Sequence, residues 1–442
     1  METVLLYILG IVVVVVGLGV SIGLHEVGHL VPAKLFKVRV GQYMIGFGPT
    51  LFSRKKGETE YGIKAIPLGG YISMAGMYPP ARSGGRARTA STGFFQTLVQ
   101  DARTASAETV LVGEDDRTFY RLAIWKRMII MLGGPFMNIV IAVVLYAIVL
   151  TGIGVQAPST TIGSVSACVV AASAKDQSCA SGAPEAPGAA AGIKPGDKIL
   201  SINGTAITSW DQATAIIRSS AGKEMDVVVS RDGAKTSLEA TPLLTEVYKR
   251  DAQNNVVKDA AGKPIIQHVG FLGIGTANEL QQQPITAVLP TVGNNIAQVV
   301  HLILNLPQRM VDVVNAAFGS GARDPNGPIS VLGVGRLAGE VTSVNTIPAV
   351  ERLSFLLGLL ASVNVALGVL NLVPLLPLDG GHVLGALWEG LRRAFAKLFK
   401  RKDPGPVDIA KAIPLTFAVV AVLAVMSVLL TYADIVKPIT VL

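Results

Sequence analysis

Residues 3–24 read TVLLYILGIVVVVVGLGVSIGL, and His25-Glu26-Val27-Gly28-His29 follows at once. The first stretch carries no charge and, as a helix, is long enough for the roughly 30 Å hydrocarbon core of a bilayer. Helical positions four apart share one face, so His25 and His29 can present two imidazoles to a single metal ion. Glu26 lies beside them, where it could take a proton from water at that metal. Ionisable groups at membrane depth cost about 2.5–3.5 kcal/mol each on insertion scales, so their presence points to function. The pattern implies hydrolytic chemistry inside a membrane. The apolar run reads as a retained transmembrane helix rather than a secretory leader. No Lys or Arg precedes it, no small-residue cleavage site is evident, and removal would end next to His25.

Composition fits a multi-spanning membrane protein with a soluble part: of 442 residues half are apolar and 15% are charged. The net charge is +8, with 15 Lys and Arg in residues 31–127, 7 in 382–411 and 14 in the much longer stretch 156–350. By the positive-inside rule the first two stretches are cytoplasmic and the third lies outside. A basic chain can also bind nucleic acid, but no compact basic domain bearing aromatic residues is present, which excludes that partner. The two cysteines, Cys168 and Cys179, fall in the outer stretch and form a candidate disulfide; two free thiols are the alternative.

The fold class expected is a polytopic α-helical membrane protein with four transmembrane helices, at 4–30, 128–152, 353–378 and 412–432. An N-terminal membrane core (1–155) also holds a Gly-punctuated, alternating β-hairpin region at 38–77, with Lys55-Lys56-Gly57-Glu58 as a hairpin tip. Residues 78–118, rich in Arg, Ser, Gly and Ala, read as a cytoplasmic loop. A mostly β domain occupies 157–276. In it, Ala191-Gly192-Ile193-Lys194-Pro195-Gly196-Asp197-Lys198-Ile199-Leu200-Ser201-Ile202-Asn203-Gly204 is a turn, a buried strand and an Asn-Gly turn. That run resembles a PDZ domain of the bacterial protease-associated type. Residues 281–345 read as an amphipathic membrane-surface segment, because 284–304 carries Asn294, Asn295, Gln298 and His301. The C-terminal core (353–442) contains a basic loop at 382–411.

A catalytic zinc site needs a third protein ligand and an open fourth position. Asp379 stands out in Asn371-Leu372-Val373-Pro374-Leu375-Leu376-Pro377-Leu378-Asp379-Gly380-Gly381-His382, where two prolines break the helix at membrane depth. If the first span runs inward, the second returns and the third runs inward again. The ends carrying His25, His29 and Asp379 then share one side, provided that 281–345 holds no complete span. His382 reads as a residue that supports the site or as a rival ligand.

These residues carry a resemblance that covers nearly the whole chain in order. It runs through the His-Glu-Val-Gly-His span, Pro67-Leu68-Gly69-Gly70-Tyr71, the Gly133-Gly134-Pro135…Asn138 span, the PDZ-like run, Gly327-Pro328-Ile329 and the Asn371…Asp379-Gly380 span. The chain resembles a site-2 protease, an intramembrane zinc metalloprotease of the kind that regulates bacterial sigma factors. The resemblance implies one Zn2+ on His25, His29 and Asp379, with Glu26 as general base. It also implies a seat in the bacterial inner membrane, with the PDZ domain outside and the active site towards the cytoplasm. The implied partners are membrane lipids and a single-span substrate of the anti-sigma-factor type, already trimmed by another protease. Asn371 would grip the substrate backbone, with plain interhelical bonding as the alternative. The 46–71 region, with Gly46, Gly48, Gly69 and Gly70 as candidate contacts, would take up an unwound substrate by strand addition; a structural hairpin is the alternative. The PDZ domain would meet the substrate's outer end. Family members often carry two PDZ domains, and one copy is evident here. Two other readings stay open at this point: a zinc-binding membrane transporter or sensor, and an inactive PDZ-bearing scaffold.

Overall fold

The computed structural model describes residues 2–79, 94–111, 113–170, 179, 182–249, 256–259, 262–319, 321, 323–324 and 327–439. The chain divides into a helical unit, Met1–Ile153 with Gln283–Leu442, and a β unit, Gly154–Gln282. The N-terminal part of the helical unit comprises α1 (Glu2–Leu35), the hairpin β1 (Val40–Lys56) and β2 (Thr59–Met74), α2 (Phe94–Glu108) and α3 (Ile124–Ala147). A π-helical turn, Ile148–Ile153, prolongs α3. The β unit holds β3 (Val155–Val165), α4 (Pro187–Ala190), β4 (Lys198–Ile202), β5 (Thr205–Ala206), α5 (Trp210–Ser219), β6 (Met225–Arg231), β7 (Ala234–Ala240), β8 (Leu243–Tyr248), β9 (Ile266–Phe271) and β10 (Ile274–Gln281). The helical unit then resumes with α6 (Val288–Leu304), α7 (Leu306–Phe318), α8 (Val331–Ser343), α9 (Ala349–Asn371), α10 (Asp379–Leu398) and α11 (Ile413–Val436).

Small residues let the helices of the first unit meet backbone to backbone, the usual device where lipid supplies no hydrophobic drive between helices. A Cβ on Gly28 of α1 would stand 2.2 Å from the carbonyl oxygen of Gly133 on α3, and one on Gly10 would stand 2.5 Å from the Ala338 oxygen on α8. The helix directions follow from the pairs that touch. His29 meets Ile130 and His25 meets Gly134, so α1 and α3 run oppositely. Gly17 meets Leu360 and Ser21 meets Asn364, so α1 and α9 run the same way. Away from these seams the helices keep Val4, Leu5, Ile8, Val12, Val420 and Val425 exposed, which suits lipid contact.

The hairpin is more than a two-stranded ribbon. Its tip turns at Gly57-Glu58, and residues 50–56 pair back onto 59–64. Val40–Ile45 then pairs on one side with Gly70–Met74, and on the other with Glu60–Ile63, whose register numbers rise together with Gln42–Ile45 in the sense of a parallel pairing. The C-terminal end of α1 and the N-terminal end of α3 hold the base of this sheet through Leu30, Val38, Val40, Met74, Phe119 and Ile130.

The helical unit departs from the sequence expectations in several places. Among the described residues, five helical segments are long and apolar enough to cross a membrane: Glu2–Leu35, Ile124–Ile153, Ile285–Leu304, Ala349–Asn371 and Ile409–Val436. That is one more than the four expected. Residues 281–345 are not one amphipathic segment; they fold as α6, α7 and α8. Of the polar side chains that suggested a surface helix, Asn295 donates its Nδ2 to Ser362 Oγ on α9 at 3.3 Å, whereas Asn294, Gln298 and His301 are exposed. The helix expected at 353–378 stops at Asn371, before Pro374 and Pro377. The expected loop 382–411 is helical as far as Leu398. One of its charges is fully buried: Glu389, 1% exposed, lies 2.7 Å from Arg127 of α3 and 3.0 Å from Arg393. The expected loop 78–118 contains α2; its residues 80–93 and 112 lie outside the described residues.

The β unit is built on a mixed-length antiparallel sheet in the order β10-β3-β4-β6-β7, with β5 paired to β4, and a separate β8–β9 pair. Asn203 and Gly204 both take positive φ, which gives β4–β5 the tight two-residue turn expected of Asn-Gly. Ile162, Ile199, Ile202, Met225, Val227 and Val229 fill its core, against which α5 lays Ala213 and Ile217. Ser209 caps α5 by accepting from the Gln212 amide at 3.3 Å. The guanidinium of Arg231 donates to both oxygens of Asp197 at 2.7 Å and holds that carboxyl below the usual range. Cys168 and Cys179 are disulfide-bonded; residues 171–178 between them lie outside the described residues.

Candidate metal centre

His25 and His29 lie one turn apart on α1, and Asp379 opens α10 after the proline-broken segment. Their donor atoms all fall within 4.8 Å of one another. His25 Nε2 and His29 Nε2 are 3.2 Å apart, and Asp379 Oδ2 is 3.4 Å from the first and 3.3 Å from the second. Ligand atoms placed 2.0–2.2 Å from one tetrahedral metal should lie roughly 3.3–3.5 Å apart, so the triangle has the right size. Two further observations favour a cation at its centre. Asp379 Oδ2 is buried and makes no hydrogen bond among the described residues. His29 Nδ1 sits 2.7 Å from the Ile130 carbonyl oxygen, which can only accept. That contact assigns the proton to Nδ1 and turns the lone pair of Nε2 towards Asp379 and His25.

The α3 backbone shapes the cradle. A Cβ on Gly134 would stand 2.2 Å from His29 Nε2 and 2.7 Å from His25 Nε2. No side chain fits there while both imidazoles keep their places. Glu26 is buried at 7% exposure, and β2 comes up against it: a Cβ on Gly70 would meet Glu26 Cγ at 3.0 Å. Of the four candidate glycines, Gly70 alone is thereby brought to Glu26. Gly46 and Gly69 take φ of +90° and +100° where the hairpin bends, and Gly48 follows in β1. Asn371 is the last residue of α9 and half-buried. His382 stands outside the donor trio, with its Nδ1 buried and unpartnered among the described residues.

Sequence reasoning gave no role to several residues that shape this region. Gly133 and Gly134 read from sequence as part of a span; their signal is a pair of small residues matching Gly28 in another apolar helix. Asn364, fully buried, donates to Ser21 Oγ at 2.9 Å and to the Leu360 carbonyl, fastening α9 to α1 one turn from His25. Its signal was an amide in an apolar helix. Arg127 and Glu389 gave no such signal, because each sits among charges that read as cytoplasmic.

A bundle of apolar helices that buries two imidazoles, a carboxylate and a neighbouring glutamate defines a membrane metallohydrolase. The chain belongs to peptidase family M50, whose model matches residues 13–403. It is 31% identical to the zinc metalloprotease Rip1 of Mycobacterium tuberculosis (strain ATCC 25618 / H37Rv), over 98% of this chain and 99% of that one. It is 32% identical to the zinc metalloprotease Rip1 of Mycolicibacterium smegmatis, over 98% of each chain. The metalloprotease MmpA of Caulobacter vibrioides is 28% identical over 85% of each chain. The chain is therefore a metalloprotease and a multi-pass membrane protein, and zinc is its metal. The residues present fit that ion in number, spacing and donor type. Membership of a peptidase family sets aside the transport and scaffold readings.

Proposed function

We propose that this metalloprotease cuts a peptide bond within the transmembrane segment of a membrane protein, with His25, His29 and Asp379 holding the zinc and Glu26 as general base. The carrying observation is the donor triangle of α1 and α10, closed inside a bundle whose outer faces are apolar. Zinc, when bound, supplies the Lewis acidity that makes water a nucleophile near neutral pH and polarises the scissile carbonyl. Glu26 takes the proton of the attacking water and delivers it to the leaving amine. The Ile130 carbonyl keeps His29 in the tautomer that binds metal, and the bare Gly134 leaves room for the site.

A transmembrane helix shields its peptide bonds with its own hydrogen bonds, so the substrate must be unwound first. The edge of β2 is suited to receive it. Gly70–Met74 pairs with β1 on one edge and, among the described residues, with no strand on the other, while Gly70 abuts Glu26. Strand addition there would lay extended backbone beside the base, with Gly46, Gly48 and Gly69 shaping the bend and Asn371 holding the chain from α9. The β unit, read as a PDZ domain, would screen the outer end of an anti-sigma-factor-type substrate.

Four crossings, by α1, α3, α9 and α11, are the reading favoured here. Because α1 and α9 run the same way, an odd number of crossings separates them. If α6 crossed as well as α3, another crossing would have to come from α7 or α8, each of 13 residues and about 20 Å long, too short for the core. The positive-inside rule then sets the metal end towards the cytoplasm and the β unit outside. The test is cleavage of a single-span model substrate by purified Glu26→Gln protein. The expected result is full zinc content with activity reduced by at least about a thousandfold; cleavage at the wild-type rate would remove Glu26 from the mechanism.

A further inference from the structure

The helix that carries Asp379 is built inside out for water. On α10, Leu384, Leu387, Trp388, Leu391, Phe395 and Leu398 fall at helical spacing on one stripe, and each is about half exposed or more. The opposite face is the buried one, and beside Gly380, Gly381 and Ala386 it carries a charge: Glu389 is 1% exposed and joined to Arg127 and Arg393, and its Oε2 accepts from the Val407 amide at 3.0 Å. A helix bathed in water would present these faces the other way round. Four charged residues in 20 (besides Asp379) also make α10 a poor candidate to cross the bilayer, and it is absent from the apolar spans.

Cations collect where the apolar stripe ends. Trp388, Phe395 and Phe399 line a groove of about 290 Å³ together with Arg392, Arg401 and Lys402. Lys400 follows Phe399 with its backbone at positive φ, ending the helix and leaving this cluster beside the exposed rings. Among the described residues, Arg392, Lys400, Arg401 and Lys402 enter no ion pair, while the neighbouring Arg393 is taken up by Glu389 and Asp403. Unpaired cations beside exposed aromatic and leucine side chains match the negative headgroups and acyl chains of an anionic leaflet.

We propose that α10 lies in the plane of the membrane surface and binds anionic phospholipid. Acyl chains meet the Leu384–Leu398 stripe, and phosphates meet Arg392, Arg401 and Lys402. This site is separate from the metal centre and does not depend on the proteolytic reading. Because α10 begins at Asp379, the lipid seat and the buried Arg127–Glu389 pair hold from both faces the helix that presents this ligand.

The test uses full-length protein with Trp125→Phe and Trp210→Phe, leaving Trp388 as the sole tryptophan. It is reconstituted in vesicles of one fixed mixture of phosphatidylcholine and phosphatidylglycerol, with acyl-chain bromines carried on one lipid or on the other. Trp388 fluorescence is expected to be quenched at least about threefold more when the bromines are on phosphatidylglycerol, and this preference should shrink in high salt. The triple variant Arg392→Glu, Arg401→Glu, Lys402→Glu should be quenched equally by both. Equal quenching of the unreversed protein by the two lipids would overturn the anionic site. No quenching by either would overturn the lipid seat altogether, as when a second copy of the chain covers α10.

Discussion

In the β unit the buried side chains include Ile162, Ile199, Ile202, Met225, Val227 and Val229, and the buried charge Asp197 is tied to a partner that is 28% exposed. In the helical unit the buried set includes Ser21, Glu26, His29, Arg127, Asn138, Asn364, Glu389 and Asp434, while valines and leucines line the outside. Both regions bury apolar side chains, but charged and amide groups are buried mainly in the helical unit, which also leaves its valines and leucines exposed in quantity. Water drives apolar groups inward in the first, whereas lipid is as apolar as leucine and offers no such drive in the second. Several buried polar groups there are paired, Asn364 with Ser21 and Arg127 with Glu389 among them, and the candidate metal centre is another such cluster. Asp434 near the end of α11 pairs with Arg323 and accepts from the Ser330 amide at 2.7 Å, and Glu389 does comparable service on α10.

Charge deletion in the two regions sharpens the contrast. Arg127→Leu leaves Glu389 buried with a weakened set of partners and is expected to cost about 3 kcal/mol or more. Arg231→Leu in the β unit, where the guanidinium is partly solvated, should cost about half that. Thermal unfolding of each variant in detergent checks the order, and equal losses would erase the distinction. Next in size is Gly134→Ala, whose methyl would stand 2.2 Å from His29 Nε2. It should destabilise the bundle by about 1–3 kcal/mol and lower zinc content measured by mass spectrometry of the metal. Gly196→Ala in the β unit meets open space and should leave zinc untouched, whatever its backbone strain at φ +94° costs.

The pH dependence of the β unit follows from Asp197. Its folded-state pKa is held down by Arg231, so the pair stabilises the unit above the unfolded carboxyl value of 3.8. That contribution is lost as pH falls from there through the depressed folded value. With Trp125 and Trp388 replaced by Phe, the urea midpoint read from Trp210 should fall across that window in wild type. In Asp197→Asn this fall should be absent, at a cost of about 1.5 kcal/mol at neutral pH. The smallest effect is Asn364→Ala, an interhelical bond to Ser21 worth about 0.6 kcal/mol, seen as a slight drop in melting temperature.

What the sequence revealed follows the same division. The first helix and its His25-Glu26…His29 face were legible because an unbroken apolar run followed by three ionisable residues has few other readings. The Asn203-Gly204 turn was legible because two positive-φ positions narrow the choice of residue. Asp379 was picked out by the prolines before it, yet it opens a new helix instead of ending a span. The rule that charges lie in loops hid α10, since Glu389 faces inward with Arg393 bonded to it and the leucines face out. The polar residues of α6 were legible as a polar set, but not that Asn295 among them is bonded to Ser362 on α9. Helix ends and inward-facing charges depend on partners far away in the chain, and local pattern does not encode them.

X-ray absorption at the zinc edge of the purified full-length protein tests the central claim most directly. The account predicts a first shell of two imidazole nitrogens and carboxylate or water oxygen at about 2.0–2.2 Å, with no sulfur, and the loss of one oxygen contribution or of the metal itself in Asp379→Ala. A shell with fewer than two imidazoles, or one that Asp379→Ala leaves unchanged at full occupancy, would contradict it.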